Sequence, residues 1–338
     1  MSAMAQALKT LAEGRDLPFD QARAAMDELM SGEATHAQIG AFLAALRVKG
    51  ETPEELTAFA TVMREKVVPV RPQSTRLVDT CGTGGDVCDT FNISTAAAFV
   101  AAAAGAKVAK HGNRAATSKC GSADVLQALG INLDLPPERV AQAIDEVGIG
   151  FMFAVHLHPA MKHAVQPRRE LGFRTVFNCL GPLTNPAGTK RQVMGVFSRE
   201  MAEPIAHVLA RLGAERAFVV YGECGMDEIS TTSPTWVCEV AGGEVRSYRI
   251  APEEFGLPRA SLDDLRGGTP EENAKMLCAV LEGERGPRRD IVALNAAAAL
   301  ACAGLAPTIA DALPLAFQAI DSGAAAEKLE RFREFCNQ

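Results

Sequence analysis

The sequence predicts an α/β protein in which a small all-helical N-terminal domain precedes a larger α/β domain with a mainly parallel central sheet flanked by helices. Three observations predict it. Residues 1–70 show helical apolar spacing and no strand pattern. From Leu77 onward, short apolar runs entering Gly-rich or polar loops alternate with helical patterns, which is the signature of a layered α/β sheet. Finally, 338 residues at 48% hydrophobic content suffice for about two domains, and with only 5% aromatics the core must be built from Ala, Leu, Val and Ile.

Taken in order, apolar periodicity places helices at Ala3–Ala12, Phe19–Met30 and His36–Val48. A fourth opens at Thr52-Pro53-Glu54-Glu55, where Thr52 caps, Pro53 suits the first helical position and Glu55 completes a capping box; it runs to Lys66. Val68–Arg76, with Pro69 and Pro72, reads as the link to the second domain. Leu77–Thr80 is a short strand, followed by an Ala-rich helix, a strand at Lys107–Lys110 and a helix from Ser122. Further strands fall near Ile149–Phe153, Gln192–Phe197, Ala217–Tyr221, Trp236–Val240 and Glu244–Ile250. The C-terminal part is helical again at Pro270–Glu282, Asp290–Ala303, Ile309–Ser322 and on to Phe335. There is no internal repeat.

Composition excludes several classes. With 34 Lys+Arg against 41 Asp+Glu, the net charge of −7 argues against a dedicated nucleic-acid binder. The nine cysteines are odd in number, irregularly spaced and lack a CxxC pair, so neither a disulfide framework nor a zinc knuckle is expected; a reducing cytoplasm fits. The N-terminus does not read as a signal peptide. The longest apolar run, within Ala96–Ala106, is shorter than the ~20 residues a bilayer needs and reads as a buried helix, so no membrane association is expected.

Four segments carry chemistry. Asp79-Thr80-Cys81-Gly82-Thr83-Gly84-Gly85-Asp86 leads into Thr90-Phe91-Asn92-Ile93-Ser94-Thr95 at the start of a helix. Its glycines let backbone amides approach a ligand, and a helix N-terminus with hydroxyls favours an anion. It fits neither the P-loop nor the dinucleotide fingerprint, and alone it is equally well read as a tight strand–helix turn with Ser94 as N-cap. A second loop, Lys110 to Asp124, holds Lys110, His111, Asn113, Arg114 and Lys119 with no acid before Asp124, which suits an anionic small molecule or, more blandly, a solvated basic loop. Asp227-Glu228 could turn two carboxylates toward one Mg²⁺, or could simply be a solvated turn. Arg168, Arg169 and Arg174 could grip a carboxylate or decorate a helix end, ahead of the punctuated stretch Asn178 to Pro186.

Together these segments resemble the anthranilate phosphoribosyltransferases, enzymes of tryptophan biosynthesis. The resemblance runs in order through Gly82–Asp86, Asn92–Thr95, Lys110–Arg114, Gly121–Asp124, Arg174-Thr175, Asn178, Gly181-Pro182, Asn185-Pro186, Asp227–Ser230, Gly267-Gly268, Asn273-Ala274 and Asn295–Ala298, and so covers nearly the whole chain. It implies the fold of the pyrimidine nucleoside phosphorylases and a homodimer formed through the helical domain. It also implies a division into a helical domain at residues 1–70, with hinge contributions from 166–190, and a substrate-binding α/β domain at 71–338.

The implied substrates are phosphoribosyl pyrophosphate and anthranilate, with Mg²⁺. Gly82, Gly84, Gly85, Asp86, Thr90, Asn92, Ser94, Thr95 and Lys110 match phosphoribosyl-pyrophosphate positions, with Lys119 as a flexible-loop contact. Asp227 and Glu228, with Ser94, match metal positions; Gly82, His111, Asn113, Arg168 and Pro182 match the anthranilate route. No general base is assigned; His111 is the candidate by residue type, and an orienting role suits it equally. The family often has Gly after Gly-Gly-Asp, where this chain has Val87 and then Cys88; no role follows for Cys81. A nucleoside phosphorylase of the same fold and a non-catalytic nucleic-acid-binding paralogue are the alternatives. The phosphorylases' phosphate loop and base-binding segment differ from the motifs here, and the charge and intact motifs weigh against the paralogue.

Overall fold

The computed structural model describes residues 1–86, 88–115 and 119–338; Val87, the departure from the family pattern, lies outside them, as do residues 116–118 of the second loop. Four helices come first: α1 (Ala3–Ala12), α2 (Phe19–Met30), α3 (His36–Lys49) and α4 (Pro53–Lys66). The capping box expected at α4 is present, with Glu55 N–H donating to Thr52 Oγ1 at 3.2 Å and Thr52 N–H to Glu55 Oε2 at 2.8 Å. Glu55 is fully buried, and its remaining capacity is used by the Leu17 N–H and Lys49 Nζ, which ties α4 to α3 and to the connection between α1 and α2.

The second part runs β1 (Leu77–Val78), α5 (Ile93–Ala103), β2 (Lys107–Gly112), α6 (Ser122–Ala128), α7 (Pro137–Gln142), β3 (Ile149–Phe153), α8 (Ala154–Leu157), α9 (Lys162–Leu171) and α10 (Phe177–Leu180). It continues with β4 (Arg191–Gly195), α11 (Arg199–Arg211), β5 (Arg216–Gly222), β6 (Thr235–Ala241), β7 (Glu244–Ile250), α12 (Pro270–Leu281), α13 (Pro287–Ala303), α14 (Ile309–Asp321) and α15 (Ala324–Asn337). Pro287 starts α13 three residues earlier than the apolar pattern alone suggested, because a proline fits the first helical turn.

β1, β2 and β3 pair in parallel, as do β4 and β5. A parallel bridge between Asp79 and Gln192 joins the two groups, with Asp79 N–H on Arg191 O at 3.0 Å and Val193 N–H on Asp79 O at 2.9 Å. The spatial order is therefore 3-2-1-4-5-6-7. The parallel expectation holds for the first five strands. β6 and β7 run antiparallel, joined by Gly242-Gly243, whose φ values of 58° and 87° suit a two-residue hairpin.

Alternation along the strands sends Val193, Phe218, Val220 and Val237 to one face, against α5 and α13. Met194, Val219, Cys238 and Val240 face the other way and share a core with α11 and the N-terminal helices. The Ala-rich run is a buried helix, as read: Ala96 to Ala102 are all buried in α5, and the small side chains let α13 pack closely against it. Among the described residues, no helix is long and apolar enough to cross a membrane.

Candidate active site

Strand order reverses between β1 and β4. In parallel α/β sheets ligands bind at such a switch point, beyond the carboxyl ends of the strands. The chain leaving β1 there is the Gly-rich loop. Gly84 and Gly85 adopt φ of 63° and 77°, the left-handed region open to glycine. This turn aims the Gly84 N–H at Asp227 Oδ2, 2.8 Å away, and the Gly85 carbonyl at the Arg174 guanidinium. Arg174 also lies over the Phe197 ring. At the end of β4, a Cβ on Gly195 would stand 1.5 Å from the Asp227 carbonyl oxygen, so only glycine lets the Asp227-Glu228 loop come this close.

That loop is pinned from behind by Asn295 on α13. Its Oδ1 accepts the Ile229 N–H at 3.0 Å, and its Nδ2 donates to the Ile229 carbonyl at 2.8 Å. Glu228 Oε1 accepts the Ser94 N–H, 3.2 Å away in the first turn of α5. Lys110, in β2, is buried and donates to Thr80 O at 2.8 Å, Thr80 Oγ1 at 3.1 Å and Ser94 Oγ at 3.4 Å. Gly82, Ser94, Gly195, Glu228 and Asn295 line one small cavity at this point.

The electrostatics are unbalanced toward negative charge. Burial and then Asp227 push the Glu228 carboxyl up to about 8; burial and then Asp227 push Asp86 up to about 7; burial raises Asp227, against the Gly84 hydrogen bond. Lys110 is the buried cation that offsets them. Asp86 Oδ2 and Thr95 Oγ1 are buried without a hydrogen-bond partner. Among the described residues no three His, Cys, Asp or Glu side chains form a metal cage of their own. Two hard carboxylates with one hydroxyl fit Mg²⁺, which ordinarily completes its shell with water and substrate phosphate oxygens.

The structure therefore brings Gly82, Gly84, Ser94, Lys110, Asp227 and Glu228 together, with Gly85 held by Arg174 alongside. Other expected residues sit differently. Asn92, not Ser94, occupies the cap position of α5, and its side chain is engaged with Asn273 Nδ2 at 2.9 Å and the Cys120 carbonyl at 3.2 Å. Thr90 pairs with Arg266 in an isolated bridge. Lys119 and Asn113 are exposed, and Asn113 Oδ1 accepts the Arg114 N–H. The second loop is less cationic than its composition suggested, because Arg114 pairs with Asp124 at 3.1 Å and Lys110 lies inside the sheet.

His111 is buried with its Nε2 3.1 Å from that of His158; burial and then His158 lower it to about 3, so it is neutral. Its backbone N–H donates to Asp79 Oδ1, and Asn185 Nδ2 donates to Asp79 Oδ2 at 2.7 Å. Pro182 is buried in a tight turn whose carbonyl accepts Gln192 Nε2. Arg168 is half-buried near the end of α9, 5.3 Å over the Phe177 ring, and makes no ion pair among the described residues. Asp79, His158, Asn185, Gly195 and Asn295 carry the site's architecture without a role having been read for them from sequence.

The fold and the site, a switch-point cleft with a glycine loop and an acid pair in a chain that opens with a helical bundle, are those of a glycosyl transferase. Residues 5–67 match the family model described as the helical bundle domain of a glycosyl transferase family, and residues 74–326 match its a/b domain. The chain is 57% identical over 331 residues to the anthranilate phosphoribosyltransferase of Symbiobacterium thermophilum, covering 98% of this chain and 97% of that one. It is 54% identical over 336 residues to that of Methanosarcina acetivorans, covering 99% and 90%. The crystal structure of the Thermus thermophilus enzyme superimposes with a TM-score of 0.93 at 48% identity, covering 98% and 99% of the two chains. The Saccharomyces cerevisiae enzyme in complex with PRPP and Mg gives 0.89 at 28% identity, covering 99% and 98%. The chain belongs to the anthranilate phosphoribosyltransferase family.

Proposed function

We propose that the protein transfers the 5-phosphoribosyl group of phosphoribosyl pyrophosphate to the amine of anthranilate, releasing pyrophosphate, as a step of tryptophan biosynthesis. The observation that carries this reading is the convergence of the Gly84 amide, Lys110 and the Asp227–Glu228 pair at the switch point. Family membership supports it, as do related yeast structures holding PRPP and Mg, and 4-fluoroanthranilate.

In this reading Asp227 and Glu228, with Ser94, would hold Mg²⁺, which neutralises charge on the departing pyrophosphate. The amides of Gly82, Gly84 and Gly85 and the α5 N-terminus with Ser94 and Thr95 receive phosphate oxygens, while Lys110 supplies fixed positive charge. Asp86, Thr90, Asn92 and Lys119 complete the donor's surroundings. Arg168 grips the anthranilate carboxylate bidentately, and Asn113, His111, Gly82 and Pro182 shape the acceptor's place. The aromatic amine is neutral at pH 7, so its attack on C1 needs placement more than deprotonation, and a neutral His111 orients rather than abstracts.

Residues 1–70, with hinges near 166–190, are proposed as the helical half that closes on the α/β part at 71–338 and forms a homodimer; Val48 on α3 is 89% exposed. The nine free thiols suit a reducing cytoplasm. The test is Mg²⁺-dependent loss of anthranilate fluorescence with phosphoribosyl pyrophosphate as donor. Turnover that ignores Mg²⁺, or none at all, would overturn the reading.

A further inference from the structure

Two cysteines outside the proposed catalytic set lie one on each of the loops that make the site. Cys88 follows Asp86 on the Gly-rich loop, and Cys224 precedes Asp227 on the acid loop. The Cys88 thiol stands 3.6 Å from the Cys224 carbonyl oxygen although 136 positions separate the residues, and both side chains are half-buried, within reach of a small oxidant. Cys224 Sγ lies 3.5 Å from Ser230 Oγ, which in turn accepts the N–H groups of Thr232 at 2.9 Å and Ser233 at 3.2 Å.

We infer that Cys88 and Cys224 are an oxidation site at which a peroxide forms a disulfide that latches the Gly-rich loop onto the acid loop and weakens donor binding. The two sulfurs have unequal parts. Burial raises the Cys224 thiol, but hydrogen bonds with the hydroxyls of Ser230, Ser233 and Thr232 outweigh it and hold it below its ordinary value. Burial and then the Cys224 sulfur push the Cys88 thiol up to about 12. Cys224 is therefore the attacking thiolate and Cys88 the resolving thiol.

The Cys224 thiolate attacks one peroxide oxygen, the O–O bond breaks, and hydroxide leaves and is protonated to water, giving a sulfenic acid. The Cys88 sulfur attacks that sulfur, the S–O bond breaks, and the departing hydroxide takes the Cys88 proton as a second water. Two thiols are oxidised and one peroxide is reduced. The covalent link then fixes the span between Gly84 and Asp227, which must part to admit a pyrophosphate and its cation. This last consequence rests on the function proposed above.

Digestion with trypsin and an aspartate-directed protease leaves Cys88 on residues 86–88 and Cys224 on residues 217–226, each without another cysteine. Mass spectrometry of peroxide-treated full-length protein is expected to show these two peptides joined, and the joint to vanish with dithiothreitol. In Cys88→Ser, dimedone should label residues 217–226 instead. Hydrogen exchange of residues 82–86 should slow on oxidation, a readout that needs no activity. In reduced protein that turns over, oxidation should raise the KM for phosphoribosyl pyrophosphate at least about tenfold, and Cys88→Ser and Cys224→Ser should abolish that rise. Peroxide treatment that leaves the two peptides unlinked, or a linked protein with unaltered exchange at 82–86, would overturn the latch. Failure of reduced protein to turn over anthranilate would count against the proposed function alone.

Discussion

Glu228 carries its charge at a cost. Its carboxyl rises from an ordinary 4.5 to about 8 because it is buried and because Asp227 sits beside it. An unfolded chain sheds this proton near 4.5, while the folded one keeps it until about 8, so the stability it lends is full below 4.5 and drains away as pH rises through 8. Without Mg²⁺, Glu228→Gln should therefore melt higher than wild type at pH 8, by an amount on the order of 1–3 kcal/mol, with the gap closing toward pH 5. Its Mg²⁺-dependent turnover should fall at least about a hundredfold. Differential scanning fluorimetry at the two pH values decides it; equal melting at both would show that the carboxylates do not repel.

Arg168 is the complementary case, a half-buried cation with an aromatic neighbour and no acid partner among the described residues. Arg168→Ala should raise the KM for anthranilate roughly ten- to a hundredfold, the worth of a charge-assisted hydrogen bond, with kcat within about threefold. A KM for anthranilate within about threefold of wild type in steady-state kinetics would remove Arg168 from the acceptor site. Asp227, Glu228 and Gly84 were singled out by the ordered run of motifs that resembles the family, since an adjacent acid pair or a glycine turn taken alone suits a solvated or tight turn equally well. His158 was not: it meets His111 across 47 positions, and a lone histidine gives no sign of its partner.

At the scale of elements, α13 is a buried Ala-rich helix whose one polar interior side chain, Asn295, reads as a defect until its partner is known. It satisfies both backbone groups of Ile229, which is itself 1% exposed, and so fixes where the acid pair points. Asn295→Leu would leave a buried N–H and C=O unpaired at a cost of about 2–4 kcal/mol. The sharper expectation is a higher Mg²⁺ requirement with little change in the KM for anthranilate, which a merely structural loss would not produce. If both move together in a Mg²⁺ titration of the variant, Asn295 is not a positioning residue. Element positions were readable because helix starts such as Thr52–Glu55 act locally. That β6 turns back against β5, and β7 against β6, depends on pairing that an apolar run does not encode.

For the whole molecule, the N-terminal helices do not own a separate core. Met26, Leu29, Phe42 and Phe59 belong to one apolar cluster with Leu183, Met194, Val219 and Val240, and α4 packs on α11. Arg64, half-buried on α4, reinforces the seam by donating to the carbonyls of Leu183 at 2.7 Å and Leu212 at 3.2 Å. Apolar periodicity showed where the helices lie but not that their buried face continues onto the sheet, since both halves present the same residue types. A shared core implies shared unfolding. Urea denaturation should follow one transition by far-UV circular dichroism, dominated by the helices, and by fluorescence of Trp236, the chain's single tryptophan, in β6. Leu29→Ala, at a fully buried position in α2, should cost about 2–5 kcal/mol and shift both probes by the same amount. A shift confined to the circular dichroism signal, with Trp236 unmoved, would mean that the bundle melts as an independent unit and that the seam through Arg64 and Leu183 contributes little.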